Sequence, residues 1–220
     1  RHCRCRVPDD PPGPGPPGWL ALANVSEPEI TIATVADRAP VLASLVAAFV
    51  ADPVLRHLFP DDATYPGYAA AFFGDLFDKR VHQRTIWTIG PGSAVSMWDG
   101  PAPATAPTGQ LAATLPSDAL ARVDAYNDAV HAALPQTPFW YLGVLGTNPA
   151  CAGRRWGRAV MAAGLRRAAA DGLPAVLETS NPTNVEVYRR AGWEVAVTVP
   201  AEPLTIWIMQ RPAGGPVSGT

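Results

Sequence analysis

Glycines and arginines stand together where an apolar run gives way to a helical pattern, and this setting favours phosphate binding. The run YLGVLGTNP ends at Asn148-Pro149, and the stretch ACAGRRWGRAV follows it. A helix that begins just after a strand offers unpaired backbone N–H groups and partial positive charge, and glycine lets a ligand come close to the backbone. The sequence therefore predicts a phosphate or pyrophosphate site at this turn. Its candidate residues are Gly153, Arg154, Arg155, Gly157 and Arg158.

The spacing of this turn differs from two common nucleotide-binding motifs. No Gly-Lys-Ser/Thr triplet follows it, so it is not a Walker loop. Nor does it have the G-x-G-x-x-G order of a dinucleotide-binding turn, and the strand before it is about the fourth in the chain rather than the first. The motif alone therefore leaves the phosphate ligand open.

The elements that must position this turn follow from hydrophobic periodicity. Strands are predicted at 30–35, 85–90, 93–98, 139–147, 174–180, 193–199 and 204–210, the last two separated by Pro200 and Pro203. Helices are predicted at 36–53, 53–59, 66–83, 117–134 (with Ser117 as cap), 154–171 and 184–192, and residues 100–115 are predicted to be a loop. This order indicates an α+β or mixed α/β fold.

Composition indicates one globular unit with tails. The chain has 220 residues, of which 48% are hydrophobic and 16% are charged, which is ample for a sizeable core. Residues 1–27 are rich in proline and glycine and are predicted to be a disordered extension. The single domain is predicted to span 28–212, and residues 213–220 are predicted to be a flexible tail.

Charge and cysteine content exclude several classes of function. A formal net charge of −2 does not favour nucleic-acid binding, and no apolar run is long enough to cross a membrane. The odd cysteine count indicates a reducing compartment, so a cytoplasmic location is expected. Cys3, Cys5 and His2 fall short of four metal ligands, no metal is expected, and Cys151 is interpreted as incidental. The sequence leaves monomer and homodimer open.

Two longer stretches resemble the GNAT superfamily of N-acetyltransferases, and within it the puromycin N-acetyltransferase group. They are LGVLGTNPACAGRRWGRAVMAAGL and PAVLETSNPTNVEVYRRAGWEV, supported by AAFVADPVLRHLFPD and LTIWIMQRP. The resemblance covers roughly residues 29–212 and is strongest over 139–193. It implies a central, twisted, mostly antiparallel sheet of about six to seven strands flanked by helices.

The resemblance also implies that acetyl-coenzyme A binds at the glycine-bearing turn. The implied cofactor-binding residues are Leu145, Gly146, Thr147, Ala152, Gly153, Arg154, Arg155, Trp156, Gly157, Arg158 and Asn184. Ala152 stands where the family has Gln or Arg, and Arg155 stands where it has its central glycine. If Arg155 must adopt a positive φ, a strain of about 1–2 kcal/mol is expected.

Catalytic roles are carried over to Tyr188 and Glu178. Tyr188 matches the tyrosine that protonates the leaving thiolate, and its alternative is packing of a helix on the sheet. Glu178 would draw a proton from the attacking amine, directly or through water, and its alternative is a structural hydrogen bond at the end of the sheet. Asn184 would bond the pantetheine arm or cap its helix.

Acceptor-binding residues are expected on the first two helices and the hairpin. The candidates are Asp52, Arg56, His57, Tyr65 and Trp98. Asp52 has a helix cap as its alternative, His57 a solvated position, and Trp98 the core of the hairpin. The predicted function is transfer of an acetyl group to a primary amine of a small molecule, such as an aminonucleoside antibiotic or related metabolite. The alternative is an acyl-coenzyme A-binding or sensor protein with an altered loop.

Overall fold

The computed structural model describes residues 28–101 and 110–214. The predicted extension at 1–27, with His2, Cys3 and Cys5, lies outside the described residues. So do residues 215–220 of the predicted C-terminal tail and residues 102–109 of the predicted loop.

A seven-stranded sheet is the frame of the described part of the chain. Its strands are Ile30–Ile32 (β1), Ile86–Ile89 (β2), Ala94–Asp99 (β3), Trp140–Thr147 (β4), Ala175–Thr179 (β5), Glu194–Ala201 (β6) and Leu204–Arg211 (β7). They lie in the order β1-β2-β3-β4-β5-β7-β6. Only β4 and β5 pair in parallel; all other neighbouring strands among the described residues are antiparallel. The predicted fold class is therefore confirmed.

Helices cover both faces of this sheet. They are Arg38–Ala48 (α1), Pro53–Leu58 (α2), Tyr65–Val81 (α3), Gln110–Thr114 (α4), Ser117–Ala133 (α5), Trp156–Ala170 (α6) and Pro182–Arg190 (α7). Both α2 and α7 begin with proline after a capping side chain, Asp52 and Asn181 respectively, as helix N-termini prefer. Gly192, at φ 84°, follows the end of α7, where the sequence predicted the helix to stop.

Four local predictions are corrected by the structure. Helix α4 occupies part of the predicted loop at 100–115. The cap of α5 is Pro116 rather than Ser117, which is the first helical residue. Pro200 lies within β6, an edge strand, where its missing N–H costs no hydrogen bond that the sheet requires. Helix α6 begins at Trp156, so the two arginines before it belong to the turn.

Two hydrophobic layers place the helices. Helix α6 packs on β2, β3 and β4, and its residues Met161 and Leu165 share one cluster with Val185 of α7. On the opposite face, α1 packs on β3 and β4, α3 packs on β2 and β3, and α5 packs on β6 and β7. The sheet therefore separates an α6/α7 face from an α1/α3/α5 face.

Candidate active site

A bulge in β4 opens the centre of the sheet. Met97 of β3 pairs with Val144 and the next residue, Trp98, pairs with Leu142, so Gly143 is an extra residue in β4. Parallel pairing with β5 also ends at Leu142, opposite Leu177. Bulges bend a strand and increase its twist. On the side that faces β5, residues 143–147 of β4 therefore pair with no strand among the described residues, and a gap separates them from the end of β5.

A cavity of about 860 Å³ runs into this gap and is lined from both faces of the sheet. The α6/α7 face contributes Asn184 and Tyr188, and β4 contributes Leu145 beside the gap. The α1/α3/α5 face contributes aromatic and aliphatic walls and most of the charged groups. Among them are Phe49, Phe72, Phe73, Asp52, Arg80, Asp99, Tyr126, Tyr141 and Glu178. A cavity of this size holds a small-molecule ligand.

The turn after β4 is open to solvent and presents backbone donors. Residues 152–155 are exposed, and Gly153 has φ 80°. Arg155 is the N-cap of α6 with φ 60° and makes no side-chain capping bond, so it adopts the left-handed conformation that a glycine would take. Among the described residues, no backbone carbonyl accepts from the N–H groups of 153–158. The turn therefore presents an accessible set of backbone donors at a helix N-terminus, and phosphate binding there stays a prediction.

Close packing fixes this turn on the end of β4. A Cβ on Gly157 would lie 2.8 Å from Thr147 Oγ1, so α6 starts close to the strand and a side chain at 157 would displace only this hydroxyl. A Cβ on Gly146 would lie 2.5 Å from Leu45 Cδ2, so this glycine lets α1 approach the strand. The Arg154 guanidinium lies 4.9 Å from the centre of the Trp156 ring, a cation–π contact. Ala152 and Arg158 are exposed beside these groups.

Glu178 extends from β5 into the cavity on the α1/α3/α5 face. The Tyr141 hydroxyl of β4 donates a short hydrogen bond to Glu178 Oε2. Burial raises the pKa of Glu178 to about 7, although this bond and the Arg80 charge act to lower it. Arg80 is itself engaged with Asp99, Nη2 to Oδ2 at 2.5 Å. Glu178 can therefore exchange a proton near neutral pH.

Tyr188 approaches the same cavity from α7. Its ring lies edge-on against Trp193, with 6.1 Å between ring centres. Burial, with smaller contributions from the Glu178 and Asp52 charges, raises the pKa of Tyr188 well above its ordinary value. The hydroxyl is therefore protonated at neutral pH and is available as a donor. Asn184, one turn earlier on α7, lines the cavity beside it, while Asn181 is the residue that caps the helix.

The predicted acceptor residues divide into one inside the cavity and four outside it. Asp52 lines the cavity and also caps α2, since Oδ1 accepts from Val54 N at 2.9 Å. Burial raises the pKa of Asp52. Tyr65 donates instead to the Val46 carbonyl.

The remaining three candidates lie away from the cavity. Arg56 bonds Asp62 at 2.5 Å and the Pro60 carbonyl at 2.8 Å. His57 is a partly exposed residue on α2. Trp98 is fully buried against α6, so its selection as an acceptor residue is corrected to the alternative, a hairpin-core position.

Four cavity residues escaped the sequence reasoning: Tyr126, Tyr141, Arg80 and Asp99. Arg80 and Asp99 come together because α3 packs on β3, and the local sequence does not predict this contact. A signal did exist for Tyr141. Strands 139–147 and 174–180 flank one helix, and such units are usually parallel neighbours. This relation places Tyr141 near Glu178.

Residues 28–101 and 110–214 contain no group of three or more His, Cys, Asp or Glu able to hold a metal ion. No helix in those ranges has the length and apolar character that a membrane crossing requires.

Comparison with known proteins supports the fold, although no known family's sequence profile matches the chain. The structure of "histone acetyltransferase HPA2 and related acetyltransferase" from Corynebacterium glutamicum aligns with TM-score 0.64 at 22% identity, covering 86% of this chain and 98% of that one. Polyamine N-acetyltransferase of Drosophila melanogaster aligns with TM-score 0.59 at 13% identity, covering 84% of this chain and 100% of that one. The C-terminal condensation domain of Ebony, solved with beta-alanyl-dopamine, aligns with TM-score 0.60 at 10% identity, covering 84% of this chain and 99% of that one. The chain therefore has the fold of the GNAT acetyltransferases, as its sequence predicted.

Proposed function

We propose that this chain is an acetyl-coenzyme A-dependent N-acetyltransferase that modifies a primary amine of a small molecule in a ternary complex. One observation carries the proposal: the cavity beside the gap between β4 and β5 is lined by residues from both faces of the sheet. Two ligands that enter from opposite faces can meet there. Direct transfer between two bound molecules requires such a meeting point.

The turn before α6 suits the diphosphate of coenzyme A. Its N–H groups at 153–158 donate to no backbone carbonyl among the described residues, the helix dipole favours anions, and exposed arginines surround it. The pantetheine arm would then lie along the unpaired edge of β4, past Leu145, with Asn184 beside it. The positive φ of Arg155 preserves the loop shape despite the missing glycine.

When bound, the thioester supplies an activated acyl group. In the proposed reaction an N–H at Leu145 or Gly146, on the open edge of β4, stabilises negative charge that develops on the carbonyl oxygen. Glu178 accepts a proton from the attacking amine, directly or through one water, on the α1/α3/α5 face. Tyr188 donates its phenolic proton to the departing sulfur on the α6/α7 face. Base and acid thus lie on opposite sides of the gap, one for each ligand.

The cavity walls favour an amine with an apolar or aromatic body. Phe49, Phe72 and Phe73 form such a wall, and the Asp52 and Glu178 carboxylates face the same space. Neither carboxylate forms an ion pair among the described residues. They would attract a protonated amine before it loses its proton. Aminonucleoside antibiotics and related metabolites are one class with these features, and the cytoplasm is the compartment proposed for the reaction.

Transfer of labelled acetyl from acetyl-coenzyme A to a panel of aryl, alkyl and nucleoside amines tests this function. We expect amide formation with at least one apolar primary amine and none with its N-acetylated form. Coenzyme A binding without transfer to any amine would indicate the sensor alternative. Absence of both binding and transfer would contradict the proposal.

A further inference from the structure

We propose that Tyr141 is a positioning residue that holds the Glu178 carboxylate ready to receive the amine proton. This inference rests on the proposed function and deepens it. Tyr141 is assigned no contact with either ligand; it acts through Glu178.

The geometry of the two strands brings the two side chains together. Tyr141 pairs in register with Val176, and Glu178 lies two residues further along β5, so all three share one face of the sheet. The Tyr141 hydroxyl donates to Oε2, and no other side chain among the described residues hydrogen-bonds Glu178. The bond therefore spans the two strands at the point where they separate.

The Tyr141 ring is itself held in place. Phe139 packs edge-on against it, with 6.4 Å between ring centres. At the bulge, a Cβ on Gly143 would come within 3.4 Å of Tyr141 Cε1 and 3.2 Å of Arg80 Nη2. A fixed donor selects one orientation of the carboxylate, which leaves Oε1 as the oxygen for the acceptor.

The surrounding charges explain why a phenol suits this position. The titratable and charged groups around Glu178 come from every element packed against it: Tyr141 on β4, Tyr126 on α5, Tyr188 on α7, Arg80 on α3, Asp99 on β3 and Asp52 before α2. Arg80 is bonded to Asp99 and to the Leu76 carbonyl rather than to Glu178. A direct cation would make Glu178 a weak base. Burial and the Glu178 charge raise the pKa of Tyr141, so it remains a neutral donor.

The pH dependence of the Tyr141→Phe variant tests the inference, since only the hydroxyl is removed. The bond favours the ionised carboxylate, so its loss should move the acidic limb of kcat/KM to higher pH by about 1 unit or more. Transfer should then fall about tenfold at pH 6 and recover to within about threefold at pH 9. Tyr126→Phe removes another phenol from the same cavity and should leave the limb in place. An equal loss at every pH would overturn the inference.

A second measurement does not depend on activity or on the folding of that variant. In protein labelled with 3-fluorotyrosine, the chain's five tyrosines give separate fluorine NMR signals. The chemical shift of one signal should change strongly with pH, with a midpoint near the pKa of Glu178, about 7. In Glu178→Gln the same chemical shift should not depend on pH in this range. No such signal would refute the contact. If this titration appears but no amine is acetylated, the proposed function fails and the contact stands.

Discussion

At the residue scale, Tyr188 and Glu178 are proposed to have opposite proton roles, Tyr188 as the donor and Glu178 as the acceptor. Tyr188→Phe keeps the ring contact with Trp193 but removes the proton donor. We expect kcat to fall about 100-fold, with coenzyme A affinity unchanged within about twofold. Tyr68→Phe, in a ring that packs on Phe59 outside the cavity, serves as the control. Steady-state kinetics measure both, and a kcat within threefold of wild type for Tyr188→Phe would contradict the assignment.

Glu178 should set the pH dependence of the reaction. Its pKa is raised to about 7, so the carboxyl is protonated below that pH and cannot accept a proton. The expected kcat/KM therefore rises with pH through an apparent pKa near 7 and then levels off, until other groups titrate. Glu178→Gln should lower the rate and abolish this limb. A wild-type profile that is flat from pH 5 to pH 8 would show that Glu178 is not the base.

Arg155 provides a prediction about stability. Its φ of 60° costs a non-glycine residue about 1 kcal/mol, which Arg155→Gly removes at the expense of a more flexible unfolded chain. We expect the free energy of unfolding to stay level or rise by up to about 1 kcal/mol in urea titrations. Arg154→Gly, which instead loses the contact with Trp156, should destabilise the protein. Equal destabilisation by both changes would contradict a strained Arg155.

At the element scale, α6 must lie close to β3 for its N-terminus to meet the end of β4. A Cβ on Gly164 would lie 2.2 Å from Trp98 Cε2 and would overlap the indole ring, which is fully buried. Gly164→Ala should therefore lower the free energy of unfolding by about 2 kcal/mol or more. Gly67→Ala, in α3 with open space around it, is the matched control and should be neutral or stabilising. Equal unfolding midpoints for the two variants would show that α6 packs differently.

The sequence predicted the helices and strands better than the contacts between them. Periodicity and turn residues located the 85–98 hairpin, α6 and α7 to within a few residues, because those signals are local. The gap in the sheet depends on the bulge at Gly143. Gly143 is the extra residue only because β3 pairs with Val144 and then with Leu142, and the local sequence does not predict that register. The Tyr141–Glu178 bond joins residues 37 positions apart, beyond any local pattern. Trp98 was misassigned because an aromatic residue in a strand gives no sign of which face it occupies.

At the scale of the whole molecule, the sheet separates two layers of helices, and the cavity beside the gap between β4 and β5 is lined from both faces. Asn184 and Tyr188, which are proposed to contact the acetyl donor, line the cavity from the α6/α7 face, and its apolar wall lies at the other face. The net charge of −2 gives no general attraction for an anionic ligand, so the proposed binding of coenzyme A depends on the local donors at the turn.

Calorimetric titration of coenzyme A into wild type and Gly157→Asp measures whether the turn before α6 binds the diphosphate. An aspartate at the second position of α6 suits the helix dipole, and the Thr147 hydroxyl it would approach can rotate away, so the fold should persist. Its charge would oppose the diphosphate. We predict one-to-one binding to wild type, weakened more than about tenfold in the variant, with binding of pantetheine, which lacks the diphosphate, unaffected. No binding to folded wild type, or equal binding to both proteins, would contradict the account.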